Sequence, residues 1–248
     1  MTTTGVIFRP QSPPEELRAV VELADAAGVA ELWLWEDCFL EGGLTAAALA
    51  LSWSSRLHVA VGLLPVPFRN PALAAMEIAT LARAFPDRFT VALGHGVQEW
   101  MAQVGAAVES PMTLLREHTT AVRALLAGET VDTDGRYVRL DRVALDWPPA
   151  TPPRLLLGGR GERTIRLAGE VSDGIVLDSV VDPAVVRRAR ELVGTESLVY
   201  AYTEVDPRTG LDHVGEWIDE LAAAGADTVI LQAPEDAPDA RPLIEALG

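Results

Sequence analysis

Short apolar runs alternate along the chain with longer stretches of helical period. The strand-like runs are Gly5–Phe8, Glu31–Trp35, Leu57–Leu64, Phe89–Leu93, Arg154–Leu157, Gly174–Leu177, Leu198–Tyr202 and Thr228–Leu231. Several are rich in β-branched or aromatic residues, and they read as parallel strands buried on both faces. Between them, Leu17, Val20, Ala24 and Ala27 recur at helical spacing before Gly28. Leu114, His118, Val122 and Leu125 do the same before Gly128, as do Val185, Ala189 and Leu192 before Gly194, and Val214, Trp217, Leu221 and Ala224 before Gly225. A glycine just past the last periodic residue is a helix stop. Further helices are expected near Leu44–Trp53, Pro71–Phe85, Glu162–Gly169 and Ala240–Leu247.

Eight strands, each followed by a helix, predict an α/β fold: one (β/α)8 TIM barrel over residues 1–248, with a doubly wound open sheet as the rival. Two segments break the rhythm. Gly96–Pro111 is too long for a simple βα turn and predicts an active-site loop. Thr130–Leu140 carries Asp134-Gly135 between alternating runs, a β-hairpin signature, and is expected on the barrel's lower side or flank with Tyr137 packing locally.

Composition narrows the function classes. Twenty basic residues against 36 acidic ones give a net charge of -16, a surface that repels nucleic acid and anionic membranes. A phosphate site would therefore have to be built locally from backbone N–H groups and a few arginines. All 20 basic residues are arginine, so Schiff-base chemistry of the aldolase kind, which needs a lysine, is excluded. The single cysteine, Cys38, leaves no internal disulfide and no multi-cysteine metal site, and no metal is expected. With a start that lacks a signal-peptide pattern and no long apolar stretch, the expected place is the cytoplasm.

Ligands of such barrels bind at the C-terminal ends of the strands. Four of those ends carry candidate chemistry: Trp35-Glu36-Asp37-Cys38, Gly62-Leu63-Leu64-Pro65, Gly94-His95-Gly96 and Gly158-Gly159-Arg160-Gly161. The last is followed by a helix, whose N-terminus presents unpaired N–H groups. Its glycines admit a ligand closely, and Arg160 and Arg163 can add charge-assisted hydrogen bonds. The turn suits a phosphate monoester, or is a plain glycine-rich βα turn. His95 can contact a ligand or hydrogen-bond within the barrel mouth. Glu36 and Asp37 can hold a proton, touch a cofactor ring or cap a helix. Cys38 reads as a buried filler rather than a nucleophile. His58, His118 and His213 read as structural or solvated.

At these residues the chain resembles the bacterial luciferase-like superfamily, in particular its branch that uses the deazaflavin coenzyme F420, with methylenetetrahydromethanopterin reductase-like proteins nearest. The resemblance runs from about residue 5 to 235 and is strongest over Val59–Trp100 and Arg154–Leu177. Its pattern is a strand, a bend, Arg69-Asn70-Pro71 opening a helix, Arg88-Phe89 leading a strand into Gly94-His95-Gly96, then GGRG and Ala168-Gly169 before Asp173-Gly174.

The resemblance implies a non-prolyl cis peptide at Gly62–Leu63, a bulge on the third strand that backs the middle of the cofactor ring. It assigns the cofactor phosphate to Gly158, Gly159, Arg160 and Gly161, the cofactor chain to Gly94, His95 and Gly96, and the ring edge to Asp37. Many relatives carry a histidine where this chain has Cys38, so their histidine-dependent acid–base step does not transfer. Glu36, Asp37, His95 and Glu99 remain as catalytic candidates.

The implied activity is hydride transfer between coenzyme F420 and a small organic substrate. The alternatives are a flavin mononucleotide (FMN) monooxygenase and a cofactor-binding protein without turnover. A homodimer is implied too, packed on the helical face near Trp33, Trp35 and Trp53.

Overall fold

The computed structural model describes residues 2–248. Ten strands form: β1 (Thr3–Phe8), β2 (Glu31–Leu34), β3 (His58–Pro65), β4 (Phe89–Gly94), β5 (Val131–Asp134), β6 (Arg139–Val143), β7 (Arg154–Gly158), β8 (Gly174–Leu177), β9 (Leu198–Glu204) and β10 (Thr228–Gln232). The helices are α1 (Leu17–Ala27), α2 (Gly43–Trp53), α3 (Pro71–Ala84), α4 (Gln98–Gln103), α5 (Pro111–Leu126), α6 (Glu162–Val171), α7 (Pro183–Val193), α8 (Val214–Ala223) and α9 (Arg241–Leu247).

Eight strands close a parallel barrel in the order β1-β10-β9-β8-β7-β4-β3-β2, so the sheet is shut and has no free edge. Small and large inward residues share the interior. Ala60 and Ala92 leave room for Trp33, Tyr200 and Tyr202, and Ile7, Leu156, Val176 and Ile230 complete this inner cluster. Trp33 meets both tyrosines at ring-centroid distances of 5.4 Å, tilted against Tyr200 and edge-on to Tyr202. The outward face of each strand packs under the helices in a second, larger cluster.

Three expectations need correction. Trp33 points into the barrel and Trp35 into its mouth, because alternation along β2 and beyond turns both rings inward; only Trp53 lies on α2. On α7 the buried stripe is Val186, Ala189 and Val193, while Val185 is exposed. Both triplets satisfy the helical period, so periodicity alone does not fix the phase. The stretch after β4 is also not a bare loop, since it folds the short helix α4 before α5 begins at Pro111.

β5 and β6 form the antiparallel hairpin on the barrel's flank. Glu117 of α5 accepts the backbone N–H groups of Arg136, Tyr137 and Val138 at 2.8–3.0 Å, which ties the hairpin turn to the helix. Tyr137 accepts the Ser110 N–H at 2.8 Å and packs locally. Among the described residues no helix is long and apolar enough to cross a membrane.

Candidate functional site

At the C-terminal ends of the strands lies a cavity of about 580 Å³. Its wall includes Asp37, Gly62, Leu63, His95, Gly96, Gly158, Gly159 and Arg160, drawn from four strand ends far apart in sequence.

Leu63 organises one side. The Gly62–Leu63 peptide is cis, and the β3–β4 register shifts between Gly62 and Leu64. The Leu63 side chain crosses β4 towards β7, over two strand ends that lack side chains. A Cβ on Gly94 would lie 2.4 Å from Leu63 Cδ2, and one on Gly158 would lie 2.5 Å from the same atom. Gly94 therefore makes room for Leu63, and its neighbours His95 and Gly96 line the cavity. Gly62 is constrained from the interior. A Cβ there would sit 2.1 Å from Tyr202 Oη and 2.8 Å from the Trp33 ring.

The turn after β7 is the anion-type element. Gly161 caps α6 with an extended backbone and no side-chain cap, so the first turn of that helix keeps donors free. Gly161 itself and Arg163 are exposed and lie outside the cavity wall. Arg160 reaches back to Asp178 and Ser179 after β8. Its Nε donates to Asp178 Oδ2 at 3.0 Å and its Nη2 to Ser179 Oγ at 3.2 Å. The guanidinium is thus positioned, and part of its charge is balanced before any ligand arrives.

Glu36 has a structural task. Both its carboxylate oxygens accept from the guanidinium of Arg69, the Nη2 bond being 2.8 Å, and Oε2 also takes the Gly43 N–H at 2.8 Å. It pins the start of α2 to the residue that precedes α3. Glu36 lines the cavity with its carboxylate held by Arg69 and Gly43, whereas Glu99 is exposed on α4 and lies outside the cavity wall.

Asp37 does lie in the wall, without a side-chain hydrogen bond among the described residues. Burial pushes its carboxyl up and Arg9 pulls it down, while Asp178 and Glu235 push it up further. His95 lies against Thr164 Oγ1 at 3.2 Å, and burial holds its imidazole below the usual range, in the neutral form. Burial, followed by the carboxylates of Asp37 and Glu36, pushes the Cys38 thiol up, which keeps it protonated and unreactive.

Several wall residues are not among the sequence candidates. Arg9 follows β1, Asp178 and Ser179 follow β8, Glu204 ends β9, Gln232 ends β10 and Glu235 lies just beyond. The strand-end rule, applied to all eight strands rather than to the four with glycine or adjacent acids, reaches each of them. Trp35 and Tyr202 stack at 6.2 Å between ring centroids, and the Arg9 guanidinium lies 5.0 Å from the Trp35 ring centre. Burial pushes the Tyr202 phenol well up, so it stays a neutral hydrogen-bond donor.

Comparison with known proteins gives a consistent picture. The profile of the luciferase-like monooxygenase family matches residues 1–197. A 5,10-methylenetetrahydromethanopterin reductase of Methanolobus tindarius is 28% identical over 182 residues, covering 71% of this chain and 54% of the relative. An F420-dependent glucose-6-phosphate dehydrogenase of Nakamurella multipartita is 27% identical over 220 residues, covering 81% of this chain and 60% of its own length. The chain thus spans little more than half the length of these curated relatives. Among solved structures, an F420-dependent secondary alcohol dehydrogenase in complex with an F420-acetone adduct superposes with a TM-score of 0.84 at 18% identity, over 99% of this chain and 97% of that one.

Proposed function

The chain belongs to the luciferase-like monooxygenase family, and from that premise we propose that it is an oxidoreductase that binds coenzyme F420 and acts on a small organic substrate. The observation that carries this reading is the meeting, in one cavity, of Leu63 and the Gly158–Arg160 turn at the positions where the family holds a tricyclic ring and its phosphate.

The residues fit such a group. Gly158 and Gly159 line the cavity and have no space for a Cβ, which would collide with Leu63 and Thr164, so only glycine lets the turn pack this closely beside the site. The free donors at the start of α6 and the Arg160 guanidinium suit the phosphate. Leu63 supplies an apolar support for a flat ring, with Gly62 behind it. Asp37 and the neutral His95 can approach ring heteroatoms.

When bound, the deazaflavin supplies reversible hydride transfer; the chain's own residues bind, orient and exclude water. Asp37 is the group best placed to hold a proton, since burial favours its neutral carboxyl.

FMN shares the tricycle and the ribityl phosphate, so the turn alone does not separate the two. The F420 reading is favoured because the relatives at 27–28% identity are a methanopterin reductase and an F420-dependent dehydrogenase. Fluorescence titration of the purified protein decides it. Saturable quenching of F420 at one equivalent supports the proposal, and binding of FMN alone overturns it.

A homodimer in the cytoplasm is part of the same reading. Leu49 of α2 with Leu73 and Met76 of α3 are exposed and offer an apolar face for a second copy. Sedimentation of a single monomeric species at micromolar concentration would remove the dimer from the proposal.

A further inference from the structure

Where β1 and β10 end, the cavity wall carries two hydrogen-bond donors that the fold leaves unused. The two strands are neighbours in the closed sheet, with Val6 opposite Leu231, and this brings Arg9 and Gln232 to adjoining parts of the wall.

Arg9 is 6% exposed, and most of its donors are taken. Its Nη1 donates to the Ala233 carbonyl at 2.9 Å and lies 3.5 Å from Glu204, and its Nε donates to Gln11 Oε1 at 3.2 Å. The guanidinium lies 5.0 Å from the centre of the Trp35 ring, which stacks in turn on Tyr202. These contacts fix the plane of the group. They leave Nη2 in the wall without an acceptor among the described residues.

Gln232 adds an independent observation. It is only 3% exposed, and among the described residues its amide makes no hydrogen bond at either end. Oε1 is closed off without a partner, and Nε2 faces the cavity. A buried amide left unbonded costs the fold free energy that an apolar side chain of similar length would not. A ligand that accepts from Nε2 accounts for a glutamine at this place.

Charge decides which kind of acceptor fits. Arg9 is the one cation of this wall among the described residues, Glu204 already stands beside it, and Asp37 and Glu235 line the same cavity. A carboxylate or phosphate would add negative charge where the cation is already balanced. An ammonium group would meet N–H groups and leave both donors unsatisfied. A carbonyl oxygen offers two lone pairs and no hydrogen, and so accepts from either donor or from both.

We infer that Arg9 Nη2 and Gln232 Nε2 form a donor pair for a neutral carbonyl oxygen in this cavity. The inference rests on the proposed oxidoreductase reading and deepens it. Two sources present this chemistry: a ketone or aldehyde substrate, and a carbonyl of the cofactor's tricyclic ring.

Gln232→Met and Arg9→Lys test the pair and separate the sources. Gln232→Met removes an amide that bonds nothing in the fold, so its unfolding midpoint should be no lower than that of the natural protein. Fluorescence titration with F420 reads the ring: an affinity loss of about three- to tenfold in Gln232→Met, and roughly tenfold in Arg9→Lys, assigns the oxygen to the cofactor. Isotope-edited infrared spectra of carbonyl-labelled cyclohexanone, bound to protein loaded with oxidised cofactor, read the substrate. A carbonyl band at lower wavenumber in the natural protein than in both variants assigns the oxygen to the substrate. Cofactor affinity and carbonyl band both unchanged in the two variants overturn the inference, as does a Gln232→Met protein that is markedly less stable. Normal cofactor loading of the natural protein with either of those results leaves the oxidoreductase reading standing. Failure of the natural protein to load with F420 or FMN removes that reading, and the inference with it.

Discussion

Tyr202 donates its hydroxyl hydrogen towards the Gly62 carbonyl at 3.4 Å, and the same oxygen occupies the space where a Gly62 side chain would begin. A strand end in the cavity wall is thus fitted to a buried aromatic from the opposite side of the barrel.

Gly62→Ala should destabilise the fold by about 1–3 kcal/mol through overpacking against Tyr202 and Trp33. Tyr202→Phe removes the nearest atom and should recover part of that loss, leaving the Trp33 contact. Denaturant unfolding of both single variants and the double variant gives the coupling. Additive effects would show that the two residues do not compete for this space.

Glu36→Ala should cost about 3 kcal/mol of stability, because it leaves the Arg69 guanidinium without its buried partner and Gly43 without its acceptor. Chemical denaturation measures this. A variant that keeps full stability but loses only turnover would give Glu36 a catalytic rather than a structural task.

His118 is buried, with Nε2 against the Arg69 carbonyl at 3.1 Å, and burial lowers its pKa from 6.5 to about 4. The unfolded chain takes up this proton from pH 6.5 downward while the fold refuses it. Stability is therefore full above about pH 6.5 and declines as pH falls towards 4, by up to about 3 kcal/mol. His118→Gln should flatten that part of the stability profile. An unchanged acid limb would contradict it.

Glu41 acts in the other direction. Neither of its carboxylate oxygens has a partner, and burial raises its pKa from 4.5 to about 7. The fold holds this proton between pH 4.5 and 7 and the unfolded chain does not, so this contribution declines as pH rises through that window. Glu41→Gln should be more stable than the natural protein at pH 8 and close to it at pH 4 by thermal unfolding. Equal stability at both values would show that the carboxyl is not desolvated.

Arg160→Ala should weaken phosphate-anchored cofactor binding by roughly tenfold, the loss of one charge-assisted hydrogen bond. Asp178→Asn should not weaken it, since the carboxylate competes with the phosphate for the same guanidinium. Fluorescence titration of the two variants checks both. Loss of binding in Asp178→Asn would mean that positioning Arg160 matters more than freeing its charge.

The barrel was legible because each apolar run is short and the helix between each pair carries its own period and stop. The glycine turn after β7 was legible because strand, glycines and helix follow one another without interruption. Other features depend on contacts that no local pattern records. Gly94 reads as a ligand contact in sequence, and the fit of Leu63 from the neighbouring strand above it is visible only in the fold. Glu36 and Asp37 are adjacent and chemically alike, but Arg69, 33 residues on, occupies the first and leaves the second open. Gln232 carries no signal at all until burial shows that its oxygen lacks a partner.

The most direct test of the central claim is a crystal structure of the protein grown with coenzyme F420. The account predicts density for the cofactor's first phosphate at the Gly159–Arg160 turn and the start of α6, with the tricycle resting on Leu63. Density for the phosphate on the β9–β10 side, or a ring placed away from Leu63, would contradict it.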